Sequence, residues 1–202
     1  DLLSEKDYDK VKSYFEEKST LLPFSVLETY KPMMASSLLS EGELPCEGAT
    51  SMEQIIMGAA KEKGKKIKGL ETMAQQAGFL DSIPYKYQAA ELVKYIDSAG
   101  TDQGQNTLMS QLFDAYRNQD LKKLEDLMTD GDAGMSSFSD ILLYRRNANW
   151  VLKLKNLMAE KSLLIAVGAG HLPGEKGVIN LLLKAGYKVT PVENKRIRTK
   201  EI

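Results

Sequence analysis

The chain contains one histidine, His171, and this residue is the first candidate for chemistry. It lies in the glycine-rich loop Gly168 to Gly174, directly after the apolar run Leu163 to Val167. That run is too short for a helix and is typical of a buried strand. A lone histidine is more often structural than functional, but a loop position after a buried strand offers it no packing role. A neutral imidazole here could be a metal ligand or a general base.

Glu71 is the second candidate because it follows another short predicted strand, Lys66 to Leu70. Side chains at the carboxyl ends of parallel strands share one edge of a sheet, so we expect Glu71 beside His171. A structural interpretation also stays open, since a carboxylate at the start of a helix interacts favourably with the helix dipole. A capping box explains the nearby Gln75, whereas Gln76 has no such explanation.

Arg146 and Asn147 are the third candidates, on a helix predicted from Ile141 to Met158. Asn147 shares the apolar stripe of that helix with Trp150, so its amide points at the core and must be hydrogen-bonded there. It could fasten a nearby loop or orient the other site residues. Arg146 could bind a substrate carboxylate, or could equally pair with Glu71.

The elements around these residues predict an α/β fold. Strand Leu163 to Val167, the helix that begins near Val178, and strand Tyr187 to Val192 form a strand–helix–strand unit, whose strands should be parallel with a right-handed connection. Residues 50 to 71 have the pattern of a helix that leads into a strand, and residues 72–158 are almost entirely helical in pattern. We therefore expect a small, mostly parallel sheet built from both ends of the chain, with a large helical insert at about 72–158.

Composition sets limits on the function. The chain has 202 residues, of which 43% are hydrophobic, enough for a single domain over 1–202 with a real core. Its 27 basic and 28 acidic residues leave a net charge of -1, and no basic patch indicates nucleic acid. No apolar run approaches the roughly 20 residues of a membrane span. The single cysteine, Cys46, does not decide the compartment. Because the chain begins with Asp1, we expect that an upstream segment has been removed.

The loop glycines also permit a dinucleotide-binding interpretation. Gly168, Gly170 and Gly174 stand between a predicted strand and a helix, and Glu193 follows the next predicted strand. This pattern is a relaxed form of the dinucleotide fingerprint. The spacing is GxGxxxG and Pro173 restricts the loop, so the pattern favours this function only weakly.

The same residues resemble a known family. The run Val167-Gly168-Ala169-Gly170-His171-Leu172-Pro173-Gly174, with Gly177-Val178 and Gly186-Tyr187, closely resembles the C-terminal signature of the TraB/GumN family, relatives of the Tiki proteases. Weaker matches follow the family's order: Lys31-Pro32-Met33, Gly69-Leu70-Glu71-Thr72 with Gln76, and Arg146-Asn147 before Trp150. The resemblance spans nearly the whole chain.

The resemblance implies an α/β fold with a central sheet, a helical insert and two G-x-x-H motifs. Gly168-Ala169-Gly170-His171 looks like the second motif, whereas the first is absent and the chain has no second histidine. In Tiki-like members the two motifs are linked to metal-dependent peptidase activity. The family is often exported, which implies an extracytoplasmic location, periplasmic or secreted.

The leading hypothesis is a metal-dependent, peptidase-like hydrolase of unknown substrate. His171 would be a metal ligand, Glu71 a ligand or general base, and Arg146 and Asn147 would orient the site. Residues Gln76, Gly168 and Gly170 are expected to contact a peptide or small-molecule substrate. A site for Mn²⁺, Co²⁺ or Zn²⁺ generally takes about three protein ligands, so His171 and Glu71 leave it incomplete.

The alternative is a non-enzymatic binding or interaction protein that keeps the fold, which the lone histidine favours. Under either hypothesis the missing first strands should leave a sheet edge or an apolar face uncovered. We expect a second copy of the chain, or a segment outside this sequence, to cover it.

Overall fold

The computed structural model describes residues 2–18, 22–42, 50–99, 105–130 and 138–192, and their regular secondary structure is helical. The helices are α1 Glu5–Glu17, α2 Phe24–Leu27, α3 Pro32–Gly42, α4 Met52–Glu62, α5 Met73–Asp81, α6 Tyr85–Ala99, α7 Gln105–Arg117, α8 Leu121–Asp130, α9 Arg145–Glu160 and α10 Val178–Lys184. A π-helical turn, Asp140–Tyr144, leads into α9, and a 3₁₀ turn, Ala169–His171, lies between α9 and α10.

The prediction of an α/β fold with a parallel sheet is wrong, because the described residues contain no β-strand. The segments Lys66 to Leu70, Leu163 to Val167 and Tyr187 to Val192 have no regular secondary structure. Within the described part of the chain, no ladder of backbone hydrogen bonds joins any two of them. A strand is held by the hydrogen bonds of its neighbour, and these segments have no such neighbour among the described residues. The helices between 73 and 160 are therefore not an insert in a sheet.

Local signals in the sequence place several helix ends correctly. The Thr72 side chain accepts a hydrogen bond from the Gln75 backbone, and the Gln75 side chain accepts one from the Thr72 backbone, which completes the predicted capping box before α5. Gly64 and Gly186, at φ angles of 60° and 90°, follow α4 and α10. Both angles fall in the left-handed region that favours glycine and is common just after a helix end.

Buried apolar side chains form two clusters that matter here. The first lies between α1, α2, α3 and α6, and its buried members are Val11, Phe15, Leu27, Ala35, Leu39, Leu92 and Ile96. The second consists of Trp150, Val151 and Val178, with Leu70, Val167, Leu181, Leu182 and Ala185 packed against them. The second cluster joins α9 and α10 to the ends of two predicted strands. The helix predicted from Ile141 to Met158 thus packs its apolar stripe next to the candidate site.

Apolar surface is left uncovered elsewhere. On α4, Met52 and Ile55 are more than half exposed, and on the predicted strands Ile67 and Leu164 are 58% and 82% exposed. These side chains carry the apolar patterns from which we predicted a buried helix and buried strands, and the described residues do not bury them. That a second copy or another segment covers them stays a prediction. No helix in the described ranges is both long enough and apolar enough to span a membrane.

Candidate functional site

Helix α9 positions three side chains of the site within little more than one turn. Arg146, Asn147 and Trp150 project from it toward the segments before α5 and α10, and Asn147 and Trp150 are buried. Residues four apart lie on the same helix face, which brings Arg146 and Trp150 together. The guanidinium carbon of Arg146 lies 4.9 Å from the centre of the indole ring, a cation–π arrangement.

Glu71 is bound by both Arg146 and Trp150. Arg146 donates from Nε to Oε2 over 3.1 Å and from its second terminal nitrogen to Oε1 over 2.5 Å, so the pair is bidentate. The indole Nε1 of Trp150 donates to Oε2 over 3.3 Å. The two charged side chains are only about 15% exposed, 15% for Arg146 and 14% for Glu71. Of the two interpretations open for Arg146, the structure shows the pairing with Glu71.

The backbone before Glu71 is tied to the same helix. Lys153 Nζ donates to the carbonyl oxygens of Gly69 and Leu70 over 3.0 and 3.1 Å. A Cβ atom at Gly69 would lie 2.7 Å from the Glu71 carbonyl oxygen, so the tight bend at this point requires glycine. The bend and the lysine together aim the Glu71 carboxylate at α9.

His171 is held by Asn147 through both polar atoms of the amide. The amide nitrogen of Asn147 donates to the carbonyl oxygens of His171 over 3.4 Å and Lys176 over 2.9 Å, and the amide oxygen lies 2.6 Å from His171 Nδ1. Since an amide oxygen can only accept, this network assigns the ring hydrogen to Nδ1. The lone pair of Nε2 is then free, and no described residue donates a hydrogen bond to it. Asn147 therefore fastens the loop and also fixes the imidazole tautomer.

The surroundings of His171 favour the neutral ring. Its side chain packs against Trp150, with ring centroids 4.4 Å apart, and the residue is 9% exposed. Burial is the main cause that lowers its pKa from 6.5 to about 4, the positive charge of Arg146 adds to this, and Glu71 opposes it. At neutral pH the imidazole is thus uncharged, as a ligand or proton acceptor must be.

Close packing against α8 explains why two positions in the loop are occupied by glycine. A Cβ atom at Gly170 would lie 2.8 Å from the methyl carbon of Met128, and one at Gly174 would lie 2.6 Å from a carboxylate oxygen of Glu125. Gly174 also has a φ of 85°, in the left-handed region. At Gly168 a Cβ would meet only an ordinary contact, 3.7 Å from the His171 ring. Substrate contacts of Gly168 and Gly170 stay a prediction.

The dinucleotide-binding interpretation loses its structural context. The fingerprint requires a strand that leads through the glycine loop into a helix. The described residues provide the loop and α10 but no strand, and Glu193, its acidic residue, lies outside the described residues.

The structure brings four of the predicted site residues together around one side chain that the sequence did not single out. Glu71, Arg146 and His171 all contact Trp150, and Asn147 holds His171 from the adjoining position on α9. Trp150 was predicted only as part of an apolar stripe. It is the one tryptophan of the chain and lies four residues after Arg146. That spacing is the sequence signal from which its place in the site could have been predicted.

Gln76 is the predicted residue that does not join this group. It lies exposed on α5, and no side-chain hydrogen bond connects it to the other four among the described residues. A role in substrate binding stays a prediction for it.

Within the described residues, the donor side chains do not make up a metal site. No group of three or more histidine, cysteine, aspartate or glutamate side chains close enough to hold an ion occurs in the described ranges. Both carboxylate oxygens of Glu71 already accept hydrogen bonds from Arg146. Of the four site residues, His171 Nε2 is the atom left free to act as a ligand, and a catalytic site generally needs about three.

Comparison with known proteins identifies the family to which the chain belongs. The chain matches the TraB/PrgY/gumN family over residues 1–191. It is also 32% identical over 74 residues to a protein named "Metalloprotease TIKI homolog" from Amphimedon queenslandica, a match that covers 33% of this chain and 14% of that relative. No solved structure matches the chain significantly. Because the match extends over residues 1–191, nearly the full length, this chain belongs to the TraB/PrgY/gumN family.

Proposed function

We propose that this chain is part of a peptidase-like hydrolase and that His171 Nε2 is the nitrogen that acts in it. The observation that carries the proposal is the 2.6 Å contact between His171 Nδ1 and Asn147 Oδ1. It fixes the hydrogen on one ring nitrogen and leaves the lone pair of the other unshared, an arrangement common to ligand and proton-acceptor histidines. The name of the relative from Amphimedon queenslandica supports a peptidase, but the match covers only 14% of that protein.

The other residues would position this nitrogen. Asn147 sets its tautomer, and Trp150 supports the ring face. The pair of Glu71 and Arg146 holds Trp150 in turn, since both contact the indole. A pKa of about 4 for His171 suits a metal ligand better than a general base, whose pKa works best near the operating pH. Binding of Mn²⁺, Co²⁺ or Zn²⁺ requires ligands in addition to those in the described residues, and an extracytoplasmic location belongs to the same proposal.

A second candidate, a binding protein without enzymatic activity, is favoured by one specific observation. Glu71, the other predicted ligand or base, is closed off by its bidentate pair with Arg146. Both carboxylate oxygens of Glu71 are engaged in this pair, which favours a structural role for the carboxylate over contact with a substrate.

An assay with internally quenched peptides separates the two candidates. The protein is incubated with a mixed peptide library, alone and with Mn²⁺, Co²⁺ or Zn²⁺, and compared with His171→Gln. The variant Glu175→Gln is the matched control, because Glu175 is exposed in the segment that follows the His171 loop. We expect cleavage in the native protein and the control, and its loss in His171→Gln.

The role of Asn147 has its own readout. Asn147→Asp keeps an oxygen that accepts from Nδ1 and adds a negative charge, which raises the pKa of His171. The acid limb of the pH–rate profile should therefore move to higher pH. Peptides that bind without being cleaved, or cleavage that survives His171→Gln, would favour the binding protein.

A further inference from the structure

A second concave site lies between α1, α2, α3 and α6. Its cavity has a volume of about 490 Å³, within the range of roughly 300–1,000 Å³ that is usual for small-molecule sites. None of the residues that line it belongs to α9, α10 or the His171 loop. The cavity is thus separate from the candidate site described above.

The walls of the cavity are apolar and partly aromatic. Val11, Phe15, Leu27 and Leu92 line it and are also buried members of the first core cluster. Phe24 also lines it, with its ring centre 6.0 Å from that of Phe15. Walls of this kind bind the apolar body of a ligand through the hydrophobic effect.

The mouth of the cavity is acidic. Glu5 and Glu28 line it, and among the described residues no lysine, arginine or histidine does. Tyr8 donates from its hydroxyl to Glu28 Oε2 over 2.6 Å, which holds that carboxylate at the rim. This hydrogen bond also raises the pKa of Tyr8, so its phenol stays a neutral donor.

Two of the lysines on these helices and their connections are paired with carboxylates outside the lining. Lys31 adjoins two lining residues in the chain, but its ammonium pairs with Asp81. Lys10, on α1, pairs with Asp97 on α6 over 2.6 Å. The rim therefore attracts a cation and repels an anion.

We propose that this cavity is a binding site for a small amphiphile that has an apolar body and a protonated amine. The apolar body occupies the space between α1, α2 and α3, and the ammonium group lies at the rim beside Glu28 and Glu5. The match is one of shape and charge, and it predicts a preference for amines over carboxylates of the same chain length.

Three probes of equal length test this proposal: octylamine, octanol and octanoate. Each is titrated into isotopically labelled protein at pH 7 and followed by heteronuclear NMR. Octylamine should shift resonances of lining residues such as Phe15 and Ala35, with His171 and Trp150 unchanged as internal references. Its affinity should exceed that of octanoate by about tenfold or more, equivalent to about 1.4 kcal/mol.

Two variants locate the binding and its charge preference. Ala35→Leu places three further carbons in the cavity and should weaken both octylamine and octanol. Glu28→Gln should remove most of the preference for octylamine over octanol, whereas Glu17→Gln, a loss of the same charge from an exposed position of α1 outside the lining, should preserve it. Circular dichroism confirms that each variant is folded.

The proposal is wrong if octanoate binds as tightly as octylamine, or if the shifts fall outside the lining residues. It is equally wrong if a folded Ala35→Leu protein binds octylamine as the native protein does.

Discussion

Mild acid should destabilise this protein through one residue, His171. In the folded state the pKa of His171 is lowered from 6.5 to about 4, chiefly by burial, while in the unfolded chain the ring titrates near its ordinary value. Between these two values the unfolded state binds a proton that the folded state does not. The stability present above pH 6.5 is therefore lost as the pH falls toward 4.

The size of the loss follows from the two pKa values. Their separation is about 2.5 units, and each unit is worth about 1.36 kcal/mol, so the full loss is about 3 kcal/mol. About 2 kcal/mol of this is lost between pH 7 and pH 5, where most carboxylates are still ionised. With a urea m-value of about 2 kcal/mol per molar, the unfolding midpoint should fall by about 1 M.

Trp150 reports this transition directly. It is the only tryptophan, and its ring packs against His171, so its fluorescence follows unfolding at the site itself. Urea unfolding is measured at pH 7 and pH 5 for the native protein and for His171→Gln, which cannot titrate in this range. The variant should lose most of the difference between the two pH values. If its midpoint falls by as much as that of the native protein, the burial argument for His171 is refuted.

Two further predictions concern the parts that position the site. Glu71→Gln leaves the largely buried Arg146 without its counter-charge and should lower the free energy of unfolding by about 2–4 kcal/mol. The control Glu175→Gln, at an exposed position, should change it by less than about 0.5 kcal/mol. Equal effects of the two substitutions would show that the Glu71 pair contributes nothing. Gly170→Ala should cost about 1 kcal/mol, because the atom it meets is the movable methyl end of Met128. Gly177→Ala should cost more than about 3 kcal/mol, because its Cβ would lie 2.0 Å from the Pro173 carbonyl oxygen, a backbone atom. Thermal melts of the two glycine variants check the order of these two losses of stability. A Gly177→Ala protein as stable as Gly170→Ala would contradict the predicted order.

The helical parts of the site could be predicted because their signals are local. The capping box at Thr72 and Gln75 depends on residues three apart in the chain. The burial of Asn147 follows from its place on one apolar stripe, and its need for a partner follows from its chemistry. The structure supplies that partner in the loop of His171. The closeness of Glu71 and Arg146 was one of two open interpretations, and the structure shows it.

Whether the short apolar runs form a sheet could not be predicted from local signals of this kind. A short apolar run such as Leu163 to Val167 indicates burial, but a strand also requires a hydrogen-bonding neighbour, which no local pattern contains. Leu164, 82% exposed, shows how far the predicted burial fails within the described residues. Trp150 was missed for a related reason. An indole on an apolar stripe predicts packing, while the partner of its N–H group is set by tertiary structure.

The nitrogen chemical shifts of the His171 ring test the central claim most directly. Because the chain has one histidine, a long-range nitrogen–proton correlation spectrum contains a single imidazole, with no assignment problem. At pH 7 we predict a protonated Nδ1 and an unprotonated Nε2, the tautomer that the contact with Asn147 requires. On titration the ring should stay neutral until the pH approaches its pKa of about 4. A hydrogen on Nε2 at pH 7, or a pKa near the ordinary value of 6.5, would contradict the account.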